Sequence, residues 1–265
     1  MLKDMNIFGI LNITPDSFSD GGVFLDDKKA FQHIEKMILE GADGIDIGAE
    51  SSRPGADSIS VSEELRRLKP VIKQFKKYFD IKLSVDTTKS QVAEFSLNHG
   101  ADMINDISAC QDDAQMSSVL AQFQAPVILM HRQGTVKTMQ DNPFYKDVVE
   151  ELIVFFKNRL SDLLQKGLSS FILDPGIGFG KSLNHNLSLM KHLDQFVNLG
   201  YPVMLGSSRK SFISDVLNAN VNQRLGGSLA SCLRAFQAGV SYFRVHDVYE
   251  TRQCLSVYNA ILKAN

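Results

Sequence analysis

Residues 41–48 read GADGIDIG, and this stretch carries the pattern that decides the fold. A glycine is followed by a short apolar run with a polar side chain near its end, and the pattern returns in GADMIND at 100–106 and GVSYFRV at 239–245. Glycine suits the left-handed position that ends a helix, so each copy predicts a helix that leads into a strand. A strand buried on both faces should be almost wholly apolar, so the polar residues require another explanation.

The same alternation extends outward along the chain. Short β-branched and apolar runs alternate with stretches of 3.6-residue periodicity, which is typical of parallel βα units. We predict eight strands, at 6–12, 44–48, 82–86, 103–107, 126–131, 171–174, 202–207 and 242–246. No linker divides residues 1–265, a length that matches one (β/α)8 barrel. The predicted fold is α/β: a single TIM barrel domain over residues 1–265, with its active site at the C-terminal mouth of the strands.

Composition narrows the class of partner. The net charge of -2 gives no general attraction to nucleic acid or to an anionic membrane. No apolar run approaches the roughly 20 residues of a membrane helix, and the N-terminus lacks a signal-peptide core. Cys110, Cys232 and Cys254 are odd in number and widely spaced, which favours buried thiols over a disulfide or zinc site. We therefore expect a cytoplasmic protein that acts on small molecules, without nucleic acid or membrane partners.

Several irregular segments are candidates for substrate-handling loops. Residues 13–27, 49–61 and 132–144 follow the first, second and fifth predicted strands, where a barrel enzyme carries such βα loops. The glycine-rich segment 174–181, DPGIGFGK, lacks the spacing of a nucleotide-binding P-loop because Pro175 stands where a glycine is required. We expect a flexible loop that brings Phe179 and Lys181 toward the mouth.

Every predicted strand ends on or beside a polar side chain. These strand-end residues are Asn12, Asp46, Asp86, Asn105, His131, Asp174, Ser208 with Lys210, and Arg244 with His246. Any one of them could simply cap the next helix. Eight strand ends that converge on one mouth of a closed parallel barrel instead predict an active site.

The strand-end residues and one loop arginine divide by chemistry into two groups. The first offers carboxylates, an amide and an ammonium, a set suited to a flat polar heterocycle such as an aminopyrimidinone: Asp86, Asn105, Asp174 and Lys210. The second is rich in donors for a diphosphate: Asn12, Arg53, His131, Arg244 and His246. Arg244 and His246 are two residues apart on a strand and so point the same way.

An ordered set of motifs resembles the dihydropteroate synthase family over nearly the whole chain. The motifs are GILNITPDSFSDGG from Gly9, DIGAESSRPGA from Asp46, SVDTTK from Ser84, INDI from Ile104, LMHRQGTVKTMQ from Leu129, LDPGIGFGK from Leu173, SSRKSF from Ser207, GSLA from Gly227 and RVHDV ending at Val248. Each motif is weak alone, but the ordered set is highly specific.

The resemblance implies a transferase of the alkyl- or aryl-transferring class. It would join 6-hydroxymethyl-7,8-dihydropterin diphosphate to 4-aminobenzoate, with Mg²⁺ as cofactor, giving 7,8-dihydropteroate and diphosphate in folate biosynthesis. Diphosphate would leave first, and the arylamine would capture the resulting pterin cation. The resemblance also implies a homodimer, through the final helices, and inhibition by sulfonamides, which resemble 4-aminobenzoate.

The resemblance further implies a role for individual residues. The catalytic residues would be Asp86, Asp174, Lys210, Arg244 and His246. The pterin would contact Asp86, Asn105, Asp174 and Lys210. The diphosphate would contact Asn12, Arg53, Arg244 and His246, with Asn12 also a ligand of Mg²⁺. The 4-aminobenzoate would contact Ser52, Arg53, Pro54, Phe179, Lys210 and Ser211, with its carboxylate near the start of the helix after SRKS.

Three positions depart from the family pattern. Ala49 replaces a glycine and Ser52 replaces a more common threonine, both conservative in volume. Arg132 stands where methionine is usual. Its long cationic side chain is expected either to crowd the pterin pocket or to turn outward to phosphate.

Two other functions are compatible with part of the pattern. A methyltransferase acting on methyltetrahydrofolate with a corrinoid partner would share the pterin-facing Asp and Asn residues, but it leaves the SRKS and RVHD motifs unexplained. A catalytically silent pterin-binding barrel or partner subunit is the other. The intact residues Asn12, Asp86, Lys210, Arg244 and His246 argue against such a loss of activity.

Overall fold

The computed structural model describes residues 5–14 and 23–264, with the side chains of residues 5–14 and 28–264. Strands and helices alternate throughout these residues. The strands are β1 (Asn6–Asn12), β2 (Gly44–Gly48), β3 (Lys82–Asp86), β4 (Met103–Asp106), β5 (Val127–Met130), β6 (Phe171–Asp174), β7 (Met204–Leu205) and β8 (Tyr242–Val245). The helices are α1 (Val23–Leu39), α2 (Val61–Tyr78), α3 (Ser90–Asn98), α4 (Met116–Phe123), α5 (Val148–Gln165), α6 (Leu183–Lys191), α7 (Leu193–Val197), α8 (Ser211–Leu217), α9 (Leu225–Ala238) and α10 (Val248–Ile261).

The strands form one parallel sheet that closes on itself. The order of paired strands is β6-β5-β4-β3-β2-β1-β8-β7, and every pairing is parallel. A parallel bridge between Leu173 and Val203 joins β6 to the chain just before β7. The Leu173 amide also donates to the Pro202 carbonyl at 2.9 Å. The prediction of a (β/α)8 barrel is confirmed.

Two predicted segments extend beyond the observed ones by more than one residue at an end. The strand predicted at 202–207 is limited to Met204–Leu205, because Pro202 has no N–H to donate and the chain turns away after Gly206. The loop predicted at 13–27 is shorter, since α1 already begins at Val23. Residues 15–22 of that loop lie outside the described part of the chain.

The helix-ending glycines occur as the sequence predicts. Gly41, Gly100 and Gly239 have φ values of 95°, 94° and 99°. In each case the chain passes from the end of a helix into the next strand within a few residues.

Two layers of side chains fill the barrel. The apolar floor consists of Phe8, Met103, Ile128, Ile172 and Met204, with Tyr242 packed against it. Alternate residues of a strand point the same way, so the residue two positions beyond the floor on each strand also points into the barrel. Four of these residues are charged or polar and form the polar layer: Asp46, Asn105, Asp174 and Arg244. The polar strand residues are thus explained by the position of one layer inside the barrel.

Gly44 makes room for the centre of the apolar floor. A β-carbon at Gly44 would lie 2.4 to 2.8 Å from three ring carbons of Phe8, closer than carbon atoms pack. Phe8 has no exposed surface. The absence of a side chain on β2 therefore allows the Phe8 ring on β1 to fill the barrel.

None of the helices within residues 23–264 combines the length and apolarity that a membrane crossing requires. All three cysteines are free, and Cys110 and Cys232 are buried, as the sequence predicts.

We predict that Gly44→Ala lowers the free energy of unfolding by roughly 1–3 kcal/mol, because the added methyl overpacks the Phe8 ring. Gly226→Ala is the matched control. Gly226 is exposed in the first turn of α9 and has nothing within 4 Å of an added β-carbon. The control should remain within about 1 kcal/mol of the parent protein. Urea unfolding of both variants measures the difference, and equal effects would contradict this account of the floor.

Candidate active site

Arg244 lies at the centre of the polar layer. Its Nη1 is 3.5 Å from Asp46 Oδ2, and its Nη2 is 3.5 Å from Asp174 Oδ2. The Asn105 side-chain amide donates to Asp46 Oδ2 at 3.0 Å. Gly206 provides space beside the guanidinium, because a β-carbon there would lie 2.9 Å from Arg244 Nη2. Strands β2, β4, β6 and β8 are thereby connected across the mouth.

Several buried polar atoms around Arg244 have no hydrogen-bond partner among the described residues. They are Asp46 Oδ1, Ser84 Oγ, Asn105 Oδ1, Asp174 Oδ2, Ser207 Oγ and Arg244 Nη1. Buried polar groups are nearly always hydrogen-bonded in native proteins, and leaving one without a partner costs about 1–3 kcal/mol. Such a cluster at the mouth of a barrel is suited to a ligand that offers both donors and acceptors.

Burial and charge act against each other in this layer. Burial disfavours the charged form of Arg244, but the carboxylates of Asp174 and Asp46 outweigh it and raise the pKa of Arg244. Burial, reinforced by the neighbouring Asp46 carboxylate, raises the pKa of Asp86 to about 8. Asp86 ends β3 at the rim of the layer and is half-buried. A ligand with N–H donors or positive charge would favour its ionised form.

Lys210 reaches the mouth from the loop after β7. Its Nζ donates to the Ile177 carbonyl and lies 4.3 Å from the centre of the Phe179 ring. Burial lowers the pKa of Lys210 to about 7, although Asp174 opposes the shift. The ammonium thus lies between the polar layer and the aromatic side chain of the loop after β6.

The backbone before Lys210 is held in a strained conformation. Arg209 has a φ of 57°, which is unusual for a residue other than glycine. Its amide donates to Ser228 Oγ at 2.9 Å, and its carbonyl accepts from Arg224 Nη1 at 3.0 Å. Its guanidinium pairs with both oxygens of Asp247. These contacts fix the direction in which Lys210 leaves the loop and connect it to the segment after β8.

The glycine-rich loop after β6 has a fixed shape, so the expectation of a flexible loop is wrong. Gly176 has a φ of 68°, and a β-carbon there would lie 2.0 Å from the His131 carbonyl oxygen. Asn186 Oδ1 accepts from the Gly178 amide at 2.8 Å, and the Tyr145 hydroxyl donates to the Gly180 carbonyl at 3.0 Å. Gly176 and Gly180 are needed because the loop approaches the backbone of His131 and Gln133 closely, and Gly178 leaves room for the Lys210 side chain.

Phe179 and Lys181, both predicted at the mouth, have different environments. Phe179 contacts Lys210 as described. Lys181 is only 3% exposed, and its Nζ bonds the Phe179 carbonyl at 2.9 Å, the His131 carbonyl at 3.2 Å and His131 Nδ1 at 3.1 Å. Lys181 therefore supports the loop from within, and the prediction that it reaches the mouth is wrong.

The two histidines of the predicted diphosphate group are both neutral at pH 7. Burial and the nearby Lys181 lower the pKa of His131 to about 2, and its ring packs edge-on against Phe155. Burial and the charge of Arg209 lower the pKa of His246 to about 4. His246 Nδ1 lies 3.0 Å from Ser208 Oγ, which in turn accepts from the His246 amide. Ser208 Oγ and His246 Nδ1 thus share one hydrogen bond, whose direction depends on the tautomer of the ring.

Arg132 takes neither of the two directions expected from the sequence. Its guanidinium pairs with both carboxylate oxygens of Asp112, in the loop after β4, and donates to the Gly134 carbonyl. Its side chain is 7% exposed. An arginine at this position is accommodated because Asp112 compensates its charge.

The residues predicted for the second substrate lie on separate loops. Ser52 lines a pocket with Asp86, Thr87 and Asp112. Arg53 and Pro54 are exposed on the same loop as Ser52, and Phe179 is almost buried in the loop after β6. Ser211 is the exposed first residue of α8. Asp86, predicted to contact the pterin, and Ser52, predicted to contact 4-aminobenzoate, therefore line the same pocket.

Asn12, the predicted Mg²⁺ ligand, ends β1 with an exposed side chain. Within residues 5–14 and 23–264, no group of three or more His, Cys, Asp or Glu side chains could hold a metal ion. The described residues thus offer a single amide oxygen and no complete metal site.

Asp46 is predicted at the mouth but assigned to neither ligand group, and the support of Lys210 by Arg209 and Asp247 is not predicted at all. Asp46 lies two residues before the end of β2, inside the barrel with the residues that it contacts. Its inward parity with Gly44 and Gly48 would have indicated this position. No pattern in the sequence signals the pairing of Arg209 with Asp247, because it depends on how two loops meet.

Comparisons with known proteins agree with this geometry. Residues 8–246 match the family model described as pterin binding enzyme. The dihydropteroate synthase of Haemophilus influenzae is 45% identical over 97% of this chain and 94% of its own length. The solved dihydropteroate synthase of Yersinia pestis, in complex with a sulfonamide drug, has a TM-score of 0.93 at 41% identity and covers 98% of this chain and 95% of that one.

A second solved relative has the same fold. The dihydropteroate synthase of Xanthomonas albilineans with 4-aminobenzoic acid has a TM-score of 0.93 at 40% identity, covering 99% of this chain and 94% of its own. The barrel fold and the order of the motifs agree with these relatives, and the sequence similarity extends over nearly the whole chain. This chain therefore belongs to the dihydropteroate synthase family of pterin-binding enzymes.

Proposed function

We propose that this protein catalyses the Mg²⁺-dependent condensation of 6-hydroxymethyl-7,8-dihydropterin diphosphate with 4-aminobenzoate, giving 7,8-dihydropteroate and diphosphate. The observation that carries the proposal is the cluster of unpartnered polar atoms in the polar layer. A pterin ring presents donors and acceptors along one edge and a flat apolar face, which complements these atoms above an apolar floor.

Asp86, Asn105, Asp174 and Lys210 are proposed to hold the pterin. Asn105 Oδ1 and Asp174 Oδ2 lack hydrogen bonds and would accept from ring N–H and amino groups. Lys210 would donate to a ring acceptor while keeping its contact with Phe179. Asp46 and Arg244 support these residues from the same layer.

Asn12, Arg53, Arg244 and His246 are proposed to handle the diphosphate. Arg244 Nη1 has no hydrogen-bond partner in the described structure, and the contact of His246 with Ser208 uses only Nδ1 of the ring. Asn12 would hold Mg²⁺ through its amide oxygen. This fits a cation that commonly keeps several waters and binds mainly through substrate phosphates. Bound there, Mg²⁺ would neutralise charge on the leaving group.

The reaction would proceed by departure before attack. The bond between the pterin methylene carbon and the diphosphate oxygen breaks, and the electron pair leaves with diphosphate. Asp86 and Asp174 place negative charge beside the resulting cation, which is the type of preorganised electrostatic stabilisation that enzymes use most. The amino nitrogen of 4-aminobenzoate then forms the new C–N bond and loses a proton.

The 4-aminobenzoate is proposed to bind among Ser52, Arg53, Pro54, Phe179, Lys210 and Ser211. Its carboxylate would lie near Ser211 at the start of α8, and exposed Arg53 would add a cation to the site. The Xanthomonas relative was solved with 4-aminobenzoic acid and the Yersinia relative with a sulfonamide drug. By analogy we propose that sulfonamides compete at this site.

Purified protein with Mg²⁺ should convert the pterin diphosphate and 4-aminobenzoate to dihydropteroate with release of one diphosphate per product. Chelation of Mg²⁺ should stop turnover, and added Mg²⁺ should restore it. Coupled detection of diphosphate, with chromatography of the product, measures both. Pterin binding without turnover would instead support the silent barrel, and methyl transfer from methyltetrahydrofolate would support the methyltransferase.

Asp86→Asn should weaken pterin diphosphate binding by about tenfold or more, because a charged acceptor is lost. The same change should stabilise the ligand-free protein as pH rises. The raised pKa of Asp86, about 8, means that the folded state keeps a proton which the unfolded state loses above about pH 4. Asp86 thus destabilises the fold increasingly between pH 4 and pH 8, and asparagine does not.

Thermal unfolding of both proteins from pH 4 to pH 8, with calorimetric titration of the ligand, tests this expectation. The difference in Tm between variant and parent should grow with pH. A difference that stays constant or shrinks would contradict the proposed environment of Asp86.

We also propose a homodimer through the final helices. Tyr249, Val257 and Ile261 lie at helical spacing on α10, with exposed fractions of 54%, 54% and 63%. Light scattering should give twice the 29.5 kDa chain mass. Val257→Asp with Ile261→Asp should give the mass of one chain, whereas Leu39→Asp, on α1, should leave the dimer intact. A monomer in the parent protein would refute the proposal.

A cytoplasmic location is proposed as well. Three free cysteines, two of them buried, are typical of proteins in reducing compartments.

A further inference from the structure

The two ends of the loop after β2, which we call its neck, are held together by hydrogen bonds. Glu50 Oε1 accepts a hydrogen bond from the Ile59 amide at 2.9 Å, which ties the two ends of segment 51–58 together. Arg67 Nη1 adds a bond to the Ala49 carbonyl at 2.9 Å. Segment 51–58 carries Ser52, Arg53 and Pro54. The side chain of Glu50 therefore determines where this loop begins and ends.

Lys89 holds Glu50 in place. Its Nζ donates to Glu50 Oε2 at 2.5 Å and to Glu64 Oε2 at 2.6 Å. The Glu64 side chain, on α2, is fully buried, while those of Lys89 and Glu50 are 19% and 22% exposed. A buried carboxylate needs a compensating cation, so Lys89 is required where it lies, and Glu50 becomes its second partner.

Lys89 belongs to the segment that also carries Asp86. Residues 86–89 run from the end of β3 to the start of α3, and the Lys89 amide bonds Thr87 Oγ1 at 3.2 Å. Glu50, Ser52, Asp86 and Thr87 line one pocket. The ammonium of Lys89 thus connects two segments. One is residues 86–89, which carry Asp86 of the proposed pterin site, and the other is the neck of loop 51–58, which carries residues of the proposed arylamine site.

We propose that Lys89, acting through Glu50, is a positioning residue that sets the arylamine loop against the pterin site. The inference rests on the proposed function for the roles of the two sites. Reactions between two bound groups are sensitive to misplacements of about 1 Å. Lys89 itself need not touch either substrate, since its ammonium is engaged by Glu50 and Glu64.

The test is Lys89→Met, which keeps the length of the side chain and removes the charge. The KM for 4-aminobenzoate should rise about tenfold through loss of an ordered loop, with the KM for pterin diphosphate within about twofold of the parent. Lys89→Arg, which keeps the positive charge, should bring the KM for 4-aminobenzoate most of the way back to the parent value. Glu50→Gln combined with Lys89→Met should be no worse than Lys89→Met alone, because both changes break the same contact.

Lys76→Met is the matched control. Lys76 Nζ also bonds a carboxylate, Asp102 Oδ2 at 2.7 Å, and a carbonyl, that of Ile81 at 2.8 Å. This pair lies at the opposite end of the barrel, before β3 and β4 begin. The control should change neither KM. Lys89→Met combined with Glu64→Gln removes the uncompensated buried charge and provides a folded variant should the single change prevent folding.

Hydrogen exchange separates this inference from the proposed function. Amides in 51–59, including that of Ile59, should exchange faster in Lys89→Met than in the parent, and Lys76→Met should show no such change. A parent protein without synthase activity would refute the proposed function, while the exchange measurement would still test the link from Lys89 to the loop. Unchanged exchange, or an equal rise in both KM values, would overturn the inference.

Discussion

The ion pairs of Arg244 with Asp46 and Asp174 are the interaction on which the mouth of this barrel depends. One guanidinium on β8 reaches carboxylates on β2 and β6, so it spans the interior instead of joining neighbouring strands. Opposite charges removed from water are stable only while both partners remain. Gly206, just after the neighbouring strand β7, must stay without a side chain, and Asn105 must face Asp46, for the arrangement to fit.

Around this centre the two loops that carry Lys210 and Phe179 are held by many contacts. Arg209 keeps a strained backbone through bonds to Ser228, Arg224 and Asp247, and the glycine-rich loop is pressed against the His131 carbonyl. Strain of this kind persists only when the surrounding structure over-determines it. The cost in stability is consistent with a site in which Lys210 and Phe179 must hold one arrangement before substrate arrives.

The sequence predicts the barrel well because its fold depends on local periodicity. The alternation of helix and strand, the helix-ending glycines and the polar strand ends are all properties of short segments, and Asp86, Asn105, Asp174 and Lys210 could be named from them. Contacts between loops could not be predicted in this way. Arg132 with Asp112, Lys181 with His131 and Lys89 with Glu50 and Glu64 join residues that only the closed barrel brings together. The flexible-loop expectation failed because glycine there permits close approach to other backbone.

The apolar floor limits how ligands can enter and leave the barrel. Phe8, seated over Gly44, and the side chains beside it leave the barrel without a passage through its lower end. Every ligand must therefore enter and leave through the open mouth at the C-terminal ends of the strands. Where one bound molecule lies deeper in such a barrel than another, the deeper one has to enter first. The closed floor would thus set an order of entry by shape alone.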